Sequence, residues 1–247
     1  MKIKTLFLLL IFISCNQKIV IQQGTALKEE NTYGELIFYD DFERNETQEI
    51  KDEVGNGWTT SSDKTAKGHK EVDLKDGKMH VYIHKEANHA VSVRHKMGFK
   101  DGAIGIDFKL DHPDDVLVMN IADMTCTSVH AGHIIDVKVK AKMLEMYDLK
   151  TGIFLLEHRN AILNKTLTNE KEELLKLKSK KVPNNVSLGK WHSLMIEIVN
   201  DKLIVFIDKK EVGSFSSNGI AHDKKGLLRI LVPRKVTVDN LRVWKKM

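Results

Sequence analysis

Cysteine is almost missing from this chain: two in 247 residues permit one disulfide at most, so no covalent framework can stand in for a hydrophobic core. Aromatic residues are scarce too, at 6%, which argues mildly against a binding groove built from stacked rings. No basic stripe with interleaved aromatics is present, and nucleic acid is therefore not an expected partner. A Gly-x-Ser-x-Gly elbow and a phosphate-cradling glycine loop are both lacking, so nothing indicates serine-hydrolase or nucleotide chemistry. The one long apolar run near the start has about half of the roughly 20 residues a spanning helix needs.

That run, from Leu6 to Ile13, follows Lys2 and Lys4 and leads into Ser14-Cys15-Asn16, the layout of an export signal with its processing site. Small Ser14 before Cys15 resembles the lipobox of bacterial lipoproteins, with Phe12 where leucine is usual. The resemblance implies removal of residues 1–14 and a lipid on Cys15, leaving Cys126 without an intramolecular partner. An ordinary secretory signal with a coincidental cysteine is the other reading, and both export the chain. Asn16 is unlike an inner-membrane retention signal, so the expected location is the cell envelope at the outer membrane, with lipid as the only membrane contact. Loss of Lys2 and Lys4 lowers the formal charge from +5 to +3, with acids and bases well mixed.

Residues 15–33 are polar and suit a solvated tether, and one domain is expected over 34–247. Runs of β-branched and aromatic residues bounded by Gly, Asp, Asn or Pro predict strands over 36–39, 78–83, 90–94, 102–110 and 116–121. The second half repeats the pattern over 133–140, 142–148, 191–199, 202–208, 211–215, 227–232 and 237–244. Such a series predicts an all-β sandwich or jelly roll. One inserted helix is expected over 169–181, with Asn169 and Glu172 as a capping box, Pro183 beyond its end, and leucines 174, 175 and 177 packed on the sandwich.

The segment from Gly189 to Ile198, the following run from Asp201 to Asp208, and the closing Val238-Asp239-Asn240-Leu241-Arg242-Val243-Trp244 resemble the C-terminal strands of concanavalin A-like sandwiches. Tyr39-Asp40-Asp41-Phe42 and Gly55-Asn56-Gly57-Trp58 resemble their opening. Lectins, glycosidases and lyases share that fold, so it leaves function open. A narrower resemblance, carried by the stretch from His89 to His95 and by Val129-His130-Ala131-Gly132-His133, is to the 3-keto-disaccharide hydrolase (glycoside hydrolase-like) domain family. It implies a sugar substrate, one oxidised at C3 among the options, and work in the periplasm or at the cell surface.

Four of the eleven histidines fall in two close pairs, His89 with His95 and His130 with His133. Alternation places Arg94 with Ser92, opposite Val91 and Val93, as an anion or enolate cradle. His130 and His133, with Asp123 nearby, could supply a divalent metal site, against a reading of histidines merely hydrogen-bonded at a sheet edge. A 3-keto-glycoside would need a base, an electrophile over the enolate and a donor for the leaving oxygen. The expected assignment is His89 or His95 as base, Arg94 as charge stabiliser, a metal on His130, His133 and Asp123, and Asn120 and Trp58 against the substrate. Asp40 and Asp41 with Asp239 could hold a structural calcium where the first and last strands meet. His192 is expected to be buried and structural, and His222 either to reach the site or to lie exposed. No Glu-x-Asp-x-x-Glu run is present, and neither Glu145 nor Glu197 has an acidic partner on its strand, which disfavours ordinary retaining hydrolysis. A glycan-binding lipoprotein without turnover is the alternative.

Overall fold

Alternation of large aliphatics, clearest over 135–139 and 194–198, favours two sheets with their apolar faces together. The computed structural model describes residues 32–247; the expected signal, Cys15 and nearly all of the tether lie outside them. Fourteen strands run β1 (Glu35–Asp40), β2 (Val72–Lys75), β3 (Lys78–Tyr82), β4 (Val91–Phe99), β5 (Gly102–Lys109), β6 (Val116–Ala122), β7 (His133–Lys140), β8 (Met143–Asp148), β9 (Ser179–Pro183), β10 (Trp191–Val199), β11 (Lys202–Ile207), β12 (Lys210–Ser216), β13 (Lys225–Val232) and β14 (Lys235–Lys245). One sheet orders β12-β11-β10-β5-β14-β3-β2, with β1 also paired to β14, and the other orders β4-β13-β6-β7-β8-β9. Every pairing between these strands is antiparallel.

Leu194, Ile196 and Ile198 on β10, Leu203 and Val205 on β11, Ile135, Val137 and Val139 on β7, and Leu228, Ile230 and Val232 on β13 meet in one buried core. Each such side chain contributes about 1.5–3 kcal/mol through burial. The β11–β12 hairpin turns on Asp208 and Lys209, both at positive φ (50° and 65°), the twist that a two-residue hairpin loop demands.

The helical region differs from expectation. The helix over Asn169–Lys176 (α3) is capped by Thr168, whose hydroxyl accepts from the Lys171 amide, and none of its residues is buried. Leu174 and Leu177 are 44% and 75% exposed, so the leucine stripe does not pack on the sandwich. The chain leaves the helix at Leu177 because Ser179–Pro183 pairs with β8 as an edge strand, and its lysines suit an exposed edge. Two further helices were not anticipated, α1 (Ser62–Thr65) and α2 (Leu156–Leu163); α2 lacks a coherent apolar face, since only His158 is buried. Among the described residues no helix is long and apolar enough to cross a membrane.

Candidate functional site

Residues opposite one another in antiparallel strands project to the same face. Across the six-stranded sheet the register sets Arg94 on β4 beside Arg229 on β13, then Asn120 on β6, Asp136 on β7 and Tyr147 on β8. Their chain neighbours Val93, Ile230, Ile121, Ile135 and Met146 belong to the core, so this polar row lies on the outer face. One step along, Lys138 stands opposite Glu145.

Part of the row is nevertheless buried, because the loop joining β6 to β7 folds across it. The Arg229 guanidinium ties that loop down: Nη2 donates to the Ala131 carbonyl at 2.8 Å and touches Met124 Sδ at 3.0 Å. Nη1 donates to Asn120 Oδ1 at 3.1 Å and to His133 Nδ1 at 3.1 Å. Asn120 in turn donates to Asp136 Oδ1 at 2.6 Å, and Lys138 Nζ stands 3.6 Å from Asp136 Oδ2. Burial pushes the Asp136 carboxyl up to about 6, against the pull of Lys138, Asn120 and Arg229. Burial, with Arg229, His130, His89 and Lys138 adding to it, drives His133 down to about 3. Its imidazole is therefore neutral at physiological pH and free to accept from Arg229.

The turn at His130–Gly132 separates the two histidines of the pair. Ala131 and Gly132 are both left-handed, at φ 48° and 67°, and a Cβ on Gly132 would come within 2.3 Å of the Asp123 carbonyl oxygen, so glycine is required there. Asp123 N donates to the Gly132 carbonyl and His130 N to the Phe154 carbonyl, closing the turn. His133 thus points down to Arg229, while the His130 ring, 6.3 Å away between centroids and flanked by Phe154, has no hydrogen-bonded side-chain partner among the described residues. Burial, Arg159 on α2 and Arg229 all lower its pKa.

Of the residues expected in the site, Arg94, Asn120, His130 and His133 come together on this face. Asn120 is fully buried between Arg229 and Asp136, so it positions its neighbours and has no surface left for substrate. His89 lies exposed in the loop before β4, its Nδ1 3.0 Å from the Ala90 carbonyl oxygen, and is near enough to act electrostatically on His133. His95 does not join the site. Alternation turns it to the opposite face from Arg94, where its ring stacks on Phe38 at 3.6 Å and meets Trp58 at 5.1 Å. Trp58 is likewise a core residue, 7% exposed, whose indole N–H donates to Asp40 Oδ2 at 2.7 Å; it presents no ring to a sugar.

The expected metal ligands do not fit a divalent ion. Asp123 accepts from Thr125, pairs with His222 at 3.0 Å and stands 3.6 Å from Lys224, while His133 faces a guanidinium cation. Among the described residues only Glu46, Glu49 and Asp73 offer three ligand atoms within 4.8 Å of one another, and the Lys70 ammonium already fills that cage at 2.5, 3.3 and 2.6 Å. The expected calcium position at Asp40 is also taken. Arg44 holds both its oxygens at 2.6 and 3.0 Å, and Asn56, Trp58 and the Phe42 amide complete the set. Asp41 caps the Glu43 amide instead. Asp239 sits near Asp107, and burial raises it to about 6.

His222 reaches Asp123 and ties the loop before β13 to the β6–β7 loop. His192 is structural: Nδ1 lies 2.6 Å from Asp208 Oδ2, and Nε2 accepts from the Ser187 amide. Glu145 accepts from Lys140 and from the Tyr147 hydroxyl, both at 2.6 Å, and Lys138 lies over the Tyr147 ring at 4.8 Å. Arg229, Arg159 and Tyr147 escaped the sequence reading. A lone arginine inside Leu227-Leu228-Arg229-Ile230-Leu231 was the available signal, since an unpaired charge in an apolar strand must find partners elsewhere.

The architecture is that of a concanavalin A-like sandwich. No protein-family model and no curated protein matches this chain. A GlcNAcα1-4Gal-releasing endo-β-galactosidase from Clostridium perfringens is similar in fold, with TM-score 0.57 and 11% identity over 86% of this chain and 63% of that one. A laminarinase from Flavobacterium sp. UMI-01 gives TM-score 0.56 and 12% identity over 85% of this chain and 100% of the enzyme. Porphyranase B from Zobellia galactanivorans gives 0.52 and 12% over 85% and 92%. At such identities the likeness establishes the fold alone.

Proposed function

We propose that this chain is an exported carbohydrate-active protein that cleaves an activated glycoside on the outer face of its six-stranded sheet, with His130 as the proton acceptor. The observation that carries the reading is the uncommitted imidazole of His130, its pKa lowered by burial and by Arg159 and Arg229, beside the His133–Arg229 pair. The similar fold of glycoside-cleaving enzymes supports the substrate class, and the Glu-x-Asp-x-x-Glu run of retaining hydrolases is absent from the sequence.

A carbonyl at C3 of a sugar makes the C2 proton removable. His130 takes that proton, the electron pair is held as an enolate, and the nearby guanidinium groups stabilise the charge. Expulsion of the C1 oxygen forms the C1–C2 double bond, and the imidazolium returns its proton to the departing oxygen. Water then adds across the double bond, so the net result is hydrolysis. No metal enters this scheme. Export is assigned from the order of Lys2, Lys4, the apolar run and Cys15, with lipid on Cys15 as the anchor to the envelope.

NMR product analysis of the mature domain with 3-keto-glucosides and their unoxidised parents tests the proposal. Cleavage restricted to the oxidised sugars is expected, and His130→Ala should slow it by about 100-fold or more while the melting temperature holds. Undiminished turnover in that variant would remove His130 from its role. A second reading, glycan binding without turnover, is favoured by one observation: the donors of Arg229 are already spent on protein acceptors. Ligand-induced melting shifts without product would select it.

A further inference from the structure

Arg94 and Arg229 stand directly opposite each other on adjacent strands. Like charges in that relation repel and lower sheet stability, so a fold tolerates them where something else supplies the missing negative charge. Only the buried Asp136 carboxyl, among the described residues, does so in part, acting on Arg229 from a distance. Among the described residues no carboxylate lies within 4.0 Å of either guanidinium, nor of Arg159, whose charge acts on His130 from the neighbouring helix α2. The nearest acid, Asp136, is 5% exposed and engaged by Asn120 and Lys138.

The two arginines differ in what they have left to offer. Arg229 spends both terminal nitrogens on Asn120, His133 and the Ala131 carbonyl. Arg94 spends only Nε, on Ser92 Oγ at 2.9 Å, and that bond fixes the plane of the guanidinium while its two terminal nitrogens remain available. Lys96 follows on the same face of β4, whereas Lys138 and Lys140 on β7 are paired with Asp136 and Glu145. A half-buried guanidinium anchored through Nε, with its outer edge free and a second cation behind it, is a fork for a planar or tetrahedral oxyanion.

We propose that Arg94, backed by Arg229, is a subsite for an anionic substituent, a carboxylate or a sulfate ester, on the sugar that this face binds. The inference rests on the carbohydrate reading above and names the class of sugar. It gives the protein a preference for acidic over neutral glycans, with the anion docked near His130.

Calorimetric titration of the mature domain with galacturonate oligomers, with a sulfated galactan oligosaccharide and with the neutral galactan parent tests it, at low and at physiological salt. The expected result is binding of at least one acidic sugar, at least ten-fold tighter than the neutral parent and weaker as salt rises. The two acidic arms tell a carboxylate from a sulfate ester. Arg94→Gln should lose at least ten-fold of that affinity and most of the salt dependence, and Arg94→Lys should fall between. Melting of each variant without ligand reports folding, and relief of the like-charge pair should leave it unchanged or higher. Equal binding of acidic and neutral sugars, no binding of any acidic sugar, or full affinity in Arg94→Gln would overturn the inference. Because binding is read separately from turnover, cleavage of neutral 3-keto-glucosides without any acidic preference would sink this subsite alone. Arg94-dependent binding of acidic sugars without any product would sink the enzyme reading alone.

Discussion

Replacing Asp136 by asparagine should change how stability responds to pH, and the size of the change follows from where the carboxyl sits. Asp136 is 5% exposed, and burial raises it from the usual 3.8 to about 6. Between those values the folded state holds a proton that the unfolded state has released. The cost of burying the charged form is therefore present at neutral pH and relieved as pH falls through 6. At about 1.4 kcal/mol per unit, the relief reaches about 2 kcal/mol by pH 4.5 and about 3 kcal/mol once the unfolded carboxyl is also protonated.

His133 works in the other direction. With its folded pKa near 3 against 6.5, it stays neutral while the unfolded chain takes up a proton, so stability is lost as pH falls below 6.5. That loss is about 3 kcal/mol by pH 4.5, and the two effects nearly cancel between pH 6 and 4. In Asp136→Asn only the histidine effect remains. Urea unfolding of both proteins from pH 7.5 to 4.5 should show wild type gaining about 2 kcal/mol on the variant, whatever their offset at neutral pH. Parallel curves would show that Asp136 titrates as an ordinary surface carboxylate, and the buried network built around Arg229 would then be wrong.

Two further outcomes test the corrected assignments. Trp58→Phe keeps the ring but strips the donor from Asp40 Oδ2, so unfolding free energy should drop by about 1–2 kcal/mol with turnover unaffected; a raised KM would return Trp58 to the substrate. Asp40→Ala orphans Arg44, Trp58 and the Phe42 amide at once and should cost about 3–5 kcal/mol, and calcium should leave the melting of wild type unmoved. At the other end of the chain, Cys15→Ser should abolish incorporation of labelled palmitate and leave an unprocessed precursor, whereas a protein still processed and exported without lipid would mark the cysteine as coincidental.

The sandwich was legible because alternation is a local property: Leu194, Ile196 and Ile198, or Ile135, Val137 and Val139, declare their inner face within one strand. The same rule correctly set Arg94 against Val91 and Val93. Carried one residue further, it also puts His95 with those valines, which is where the ring lies against Phe38. The helix went astray at its C-terminal half, where Lys-rich sequence suits a solvated helix and an edge strand equally well, and only pairing with β8 decided between them.

By itself, the sequence determined which side chains each strand turns inward and which it turns out, and so fixed an all-β sandwich with a polar outer face. It also set His130 and His133 three residues apart at the entry to one strand. The tertiary structure alone decided who stands beside them. β13 enters between β4 and β6, bringing Arg229 to Asn120 across 109 residues of chain, and that register depends on the packing of both sheets at once. The same non-local pairing set Arg94 against Arg229 and buried Asp136 under the β6–β7 loop. The charge balance of the site is a property of strand order, which no local pattern contains.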